Sequence, residues 1–131
     1  MNYHHQRQVF QNRYRKWNKQ IWIAKKIGTV EDDFGYETPI YDKPQKYMMN
    51  VQPINASADI QEFGERANQM QKTIIEKNKY LNEFKEFDVA YLDGVTPEDE
   101  QEYGENANYR LYPPRNQNKC ITIYFERLAG K

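Results

Sequence analysis

From Lys119 to Leu128 the apolar residues fall on every second position. Ile121, Ile123 and Phe125 share one face and Cys120, Thr122 and Tyr124 the other, the period of a strand with one side in a core. The pattern recurs in short pieces. Tyr47, Met49 and Val51 alternate within Lys46 to Pro53, and Phe87, Val89 and Tyr91 alternate within Phe87 to Leu92. Asn108 to Tyr112 reads as a further strand, stopped by Pro113-Pro114. Gln20 to Val30 reads as one strand that stops near Gly28, and Thr38 to Tyr41 as a short return. Asn68 to Asn78 is ambiguous: Met70, Lys72 and Ile74 alternate as in a strand, the reading favoured, while the Gln and Lys content also suits a helix. Between these pieces lie turn signals: Asp32-Asp33-Phe34-Gly35, Asn55 to Asp59, Asp93-Gly94 and Asn116 to Lys119. Ser57 or Asp59 is placed to cap a short helical turn through Phe63 that ends at Gly64. Many short strands with turns between them predict a mainly β fold, a small β-barrel or sandwich with long loops.

The core of such a domain has little aliphatic material. Leu, Ile, Val and Phe are 25 of 131 residues, close to the limit below which chains stay disordered. Disorder also expects high net charge, and here 19 bases balance 19 acids. Eleven tyrosines and two tryptophans add large apolar surface. The expectation is one domain with a thin core, completed by partner subunits.

The charges cancel in sum but are sorted by position. Residues 1–26 hold seven bases (Arg7, Arg13, Arg15, Lys16, Lys19, Lys25, Lys26) and no acid. Residues 93–105 hold six acids (Asp93, Glu98, Asp99, Glu100, Glu102, Glu105) and no base. The division expected is a basic N-terminal helix or extended arm over residues 1–20 and a β-barrel domain over residues 21–131. Loops are expected around residues 31–37 and 93–107. Two unlike complementary patches suit head-to-tail contact between copies, which closes into a ring where the rotation allows. Arg13, Arg15, Lys16 and Trp17 in the arm and Glu98, Asp99 and Glu100 in the loop are the expected contacts. Tyr14, Trp22 and Tyr103 are expected as exposed anchors.

Little in the sequence assembles into chemistry. His4 and His5 have no carboxylate or cysteine near them in sequence, and Cys120 is the only cysteine. Asp32-Asp33 and Glu98-Asp99-Glu100 match no calcium-loop spacing. The six glycines are scattered singly, without a phosphate-binding loop. No nucleophile, base and oxyanion stabiliser come together, so no enzyme, cofactor or metal is expected. No apolar run reaches membrane-spanning length and no apolar signal region follows the basic start, so a soluble cytoplasmic product without a membrane partner is expected. The arm also suits nucleic acid, with Arg7, Arg13, Arg15 and Lys16 on phosphates and Tyr14 and Trp17 stacking on bases.

Four stretches in order resemble the head-closure, connector or neck proteins of long-tailed bacteriophages. Val30-Glu31-Asp32-Asp33-Phe34-Gly35-Tyr36 lies in a strand–turn–strand over Ile23 to Tyr41 that is similar to the family's first hairpin. Val51-Gln52-Pro53-Ile54 with Ser57 and Asp59 to Gly64 is similar to its strand, polar turn, acidic residue and glycine. Glu86 to Leu92 resembles its next strand, with Phe87 where a glycine is common, and Asn106 to Tyr112 with Asn118 to Glu126 resembles its closing pair. The resemblance implies a ring, a dodecamer in the virion neck, between the portal-adaptor protein and the tail. It also implies that the ring retains packaged double-stranded DNA, with a loop projecting toward the channel. Asp32, Asp33, Phe34 and Tyr36 are the candidate channel loop, with the acidic loop as the rival. A tail-completion or tail-terminator protein is the nearest alternative role, and a nucleic-acid-binding module using the arm is the alternative from another class.

Overall fold

The computed structural model describes residues 18–131. Ten strands carry most of the ordered backbone: β1 (Lys19–Ala24), β2 (Lys26–Glu31), β3 (Glu37–Tyr41), β4 (Gln45–Met49), β5 (Val51–Pro53), β6 (Met70–Glu76), β7 (Val89–Tyr91), β8 (Tyr109–Leu111), β9 (Arg115–Asn116) and β10 (Cys120–Arg127). A helix, α1 (Ser57–Phe63), runs into a 3₁₀ turn (Gly64–Gln69), and a short helix, α2 (Lys77–Tyr80), follows β6. The expected mainly β fold is therefore present.

One antiparallel sheet runs in the order β4-β1-β7-β8-β10-β6-β5, with β9 added along β10. Its two end strands, β4 and β5, are consecutive in sequence, with Asn50 alone between them. β4 pairs with β1 while β5 pairs with β6, so one strand bent at Asn50 brings the sheet round into a nearly closed barrel. A barrel that closes on itself leaves few edges open to unwanted pairing.

The alternation read from sequence sets the interior. Ile21 and Ile23 of β1, Met49 and Val51 on either side of the bend, Ala90 and Leu92, Leu111, and Ile121, Ile123 and Phe125 form one buried cluster. Burying a side chain of this size stabilises by about 1.5–3 kcal/mol. The opposite faces of two strands are buried as well. Val89 and Tyr91 pack outside the barrel with Ala24 and Ala107, and Tyr124 packs with Phe63, Ala67 and Met70 under α1. The thin core is thus eked out by aromatic satellites.

Several expectations need correction. The strand expected over Gln20 to Val30 breaks at Lys25, where β1 ends and β2 leaves the barrel. The strand expected over Asn68 to Asn78 is present as β6, and in it Thr73 and Ile75 face the core, Ile74 is 41% exposed, and Met70 is buried under α1. Neither Ser57 nor Asp59 caps α1, whose N-cap is Ala56 without a side-chain bond. The helix does end at Gly64, whose φ of +60° glycine adopts without steric cost. Trp22, expected as an exposed anchor, is half-buried against the outer Val89–Tyr91 cluster.

Candidate functional site

β2 and β3 pair only with each other among the described residues, forming a hairpin separate from the barrel. Its base is fixed by Asp88, a buried residue just before β7. One carboxylate oxygen accepts the Lys26 N–H at 3.0 Å and the other accepts the Lys85 N–H at 2.9 Å. Burial pushes the Asp88 carboxyl above its ordinary range, and these two bonds with the nearby Lys25 and Lys85 charges oppose that. The Asp42 N–H adds a bond to the Lys25 carbonyl at 2.8 Å.

At the hairpin tip Asp32 organises the turn. Its Oδ1 accepts the N–H groups of Phe34 and Tyr36 at 2.9 and 2.8 Å, and its own N–H reaches the Tyr36 carbonyl. Such an Asx-type turn uses the acid as a backbone brace. Phe34 is 85% exposed and Tyr36 is 72% exposed. Ile27, Val30 and Ile40 along the hairpin are exposed too. The tip thus presents rings, with Asp33 beside them.

The acidic loop between β7 and β8 is braced from within. The Tyr91 hydroxyl donates to Glu100 at 2.9 Å and accepts the Gly104 N–H at 2.8 Å. Burial, then the Glu100 bond, pushes the Tyr91 phenol well above its ordinary value. Glu100 also accepts the Asn106 N–H, and Glu105 accepts the Gln101 N–H. Asn106 donates from its side chain to the Glu98 carbonyl. Asn108 joins the loop ends by bonding both the N–H and the carbonyl of Leu92. Asp93 accepts from Gln71 and Tyr109.

Three acids therefore serve the loop itself, and three do not. The carboxylates of Glu98, Asp99 and Glu102 have no hydrogen bond or ion pair among the described residues. Glu100, expected as an interface residue, turns inward. The bases expected to face this loop, Arg13, Arg15 and Lys16, lie with Trp17, His4 and His5 outside the described residues.

The hairpin and the loop, far apart in sequence, meet in space. Gly104, with φ at +89°, lies flat on the Tyr41 ring: a Cβ there would stand 2.5 Å from Tyr41 Cδ2. Between them runs an open groove of about 560 Å³, walled by Val30, Thr38 and Ile40 on one side and by Gln101, Glu102 and Tyr103 on the other. Val30 pairs with Thr38 and Gly28 with Ile40, so one hairpin face supplies that wall. The opposite face, with Thr29 and Pro39, borders a smaller groove of about 240 Å³ toward Phe87, Arg110 and Leu128.

Tyr41, Tyr91 and Gly104 hold this site together, and none was singled out from sequence. Each carries a long-range contact that no local pattern encodes. Elsewhere, Asp59 accepts from Lys72 and from the Tyr124 hydroxyl, both at 2.6 Å. Burial pushes Asp59 up, but those bonds and the charges of Lys72 and Arg115 hold it below the usual carboxylate range. Tyr124, buried and bonded to Asp59, is pushed up to about 12. Arg115 pairs with Glu62, and Arg66 and Arg110 with Glu126. These bonds pin α1 and its 3₁₀ turn to the barrel. Among the described residues no group of His, Cys, Asp and Glu is placed to hold a metal ion. No helix among them is long and apolar enough to cross a membrane.

No family model matches the chain, and no curated protein matches it. The solution structure of protein SF1141 from Shigella flexneri 2a is similar in fold, with a TM-score of 0.54 and 14% identity over 86% of this chain and 93% of that one.

Proposed function

We propose that the protein is a structural subunit of a bacteriophage neck, a head-closure or head-to-tail connector component that forms a ring between the portal-adaptor complex and the tail. The ring retains packaged double-stranded DNA and gives the tail a platform. The work is mechanical, and no bond is broken. The observation that carries the reading is the β2–β3 hairpin. It leaves the barrel and holds Phe34, Tyr36 and Ile27 in water, with Ile27 64% exposed. Exposed aromatic side chains at its tip and an exposed aliphatic one near its base suit a contact surface. The acidic loop beside it supplies charge that steers partners and fixes register. The ordered stretches that resemble neck proteins supply the location.

Antibody labelling of tailed particles released by the cells that encode the protein tests the location. Labelling at the head–tail junction is the expected result. Label confined to the tail tip, or particles that carry none of the protein, would overturn the reading.

A further inference from the structure

We propose that the groove between the β2–β3 hairpin and the acidic loop receives the basic N-terminal segment, residues 1–17, of a second copy of this chain. The inference deepens the ring reading above and rests on it for the arrangement of copies.

The groove has two kinds of wall. Val30, Ile40 and Tyr103 are apolar or aromatic, and Glu102 adds a carboxylate. Glu98 and Asp99 belong to the same loop and, like Glu102, are not used to brace it. Because Tyr91, Glu105 and the Gly104–Tyr41 contact already hold the loop, a ligand meets a backbone whose ordering cost has been met by folding. The matching ligand is a segment with several positive charges, no negative one and a few aromatic or aliphatic side chains. Residues 1–17 contain Arg7, Arg13, Arg15 and Lys16, no acid, and Val9, Phe10, Tyr14 and Trp17. An acid anywhere in that segment would be repelled by the loop, and there is none.

The ring reading sets a second copy, rather than the chain's own arm, as the donor. The segment joins β1 at Lys19, which pairs with Met49 beside the Asn50 bend. The hairpin begins at the other end of β1, after Lys25. Six residues of strand at about 3.3 Å each separate the two ends by roughly 20 Å. β7 runs antiparallel to β1, with Trp22 opposite Tyr91 and Ala24 opposite Val89, so the acidic loop leaves the barrel at the Lys19 end and folds back to Tyr41 to meet the hairpin. A basic segment and an acidic groove on one chain are unlike patches, so a contact between copies is head-to-tail and repeats from copy to copy.

The test uses the full-length chain with its own arm disabled by Arg13→Glu, Arg15→Glu and Lys16→Glu. A fluorescent peptide of residues 1–17 is titrated against it and followed by anisotropy. Saturable binding is expected, weakened about tenfold or more in 0.5 M salt, since exposed charges are then largely screened. A comparable loss is expected when Glu98→Lys, Asp99→Lys and Glu102→Lys are added. Those carboxylates brace nothing among the described residues, and an unchanged circular dichroism spectrum checks the fold. No saturable binding, or binding indifferent to the loop reversal, overturns the site. Mixing then decides the copy. Arm-reversed and loop-reversed chains are each expected to stay monomeric, while their one-to-one mixture assembles. A mixture that stays monomeric although the peptide binds overturns the second copy as donor. Neither readout depends on where the protein sits in a virion, so this proposal and the neck assignment can fail separately.

Discussion

The Tyr91 hydroxyl, donating to Glu100 and accepting from Gly104, is the smallest feature that decides the shape of the acidic loop. Gly104→Ala tests the same point from the other side. The substitution meets Tyr41 at 2.5 Å and forces a side chain into a backbone region that L-residues avoid. A loss of about 1–3 kcal/mol is expected, read as a lower denaturant midpoint, with faster amide exchange over residues 100–106. Asp59 gives a pH signature. Its folded pKa lies below its unfolded one, so its contribution is present above the ordinary carboxylate pKa and is lost as pH falls through the folded value. Asp59→Ala leaves Lys72 and the Tyr124 hydroxyl without their shared partner, at a cost of about 1–3 kcal/mol. Acid titrations of stability should show the wild type losing this increment and the variant lacking it.

At the scale of elements, the strands that were legible are those with one face in the barrel. β10 shows its face as Ile121, Ile123 and Phe125, and all three are buried. Phe125→Ala should cost about 3–5 kcal/mol in urea unfolding, the usual price of a large core truncation. β6 was legible as a strand from the alternation of Met70, Lys72 and Ile74, but its interior face, Thr73 and Ile75, was not. Lys72 extends instead to Asp59, a partner 13 residues away that no period reveals. The break at Lys25 was not visible either, since Lys25-Lys26-Ile27 continues a β-rich run. It is set by Asp88 taking the Lys26 N–H. The hairpin was legible as a turn at Asp32 to Tyr36, but its separation from the barrel was not. Because Phe34 and Tyr36 pack on little of their own chain, Phe34→Ser with Tyr36→Ser should change unfolding stability by no more than about 0.5 kcal/mol. The same pair should lower the mass of the assembled form, measured by light scattering.

For the whole molecule, the charges sorted in sequence are only partly sorted in the fold, where the Lys131 ammonium donates to the Glu105 carbonyl of the acidic loop. Six acids separated from the bases in sequence form one braced loop, and three of their carboxylates remain for a partner. The closure at Asn50 has a further consequence. The barrel is completed within residues 19–127, so assembly can use the hairpin and the loop without opening the core. We expect these surfaces to bring copies of the chain together. The most direct measurement is the mass of the full-length protein by light scattering across concentration, at low and at high salt. An oligomer at low salt that high salt dissolves is the expected result. A strict monomer at every concentration and salt would contradict it.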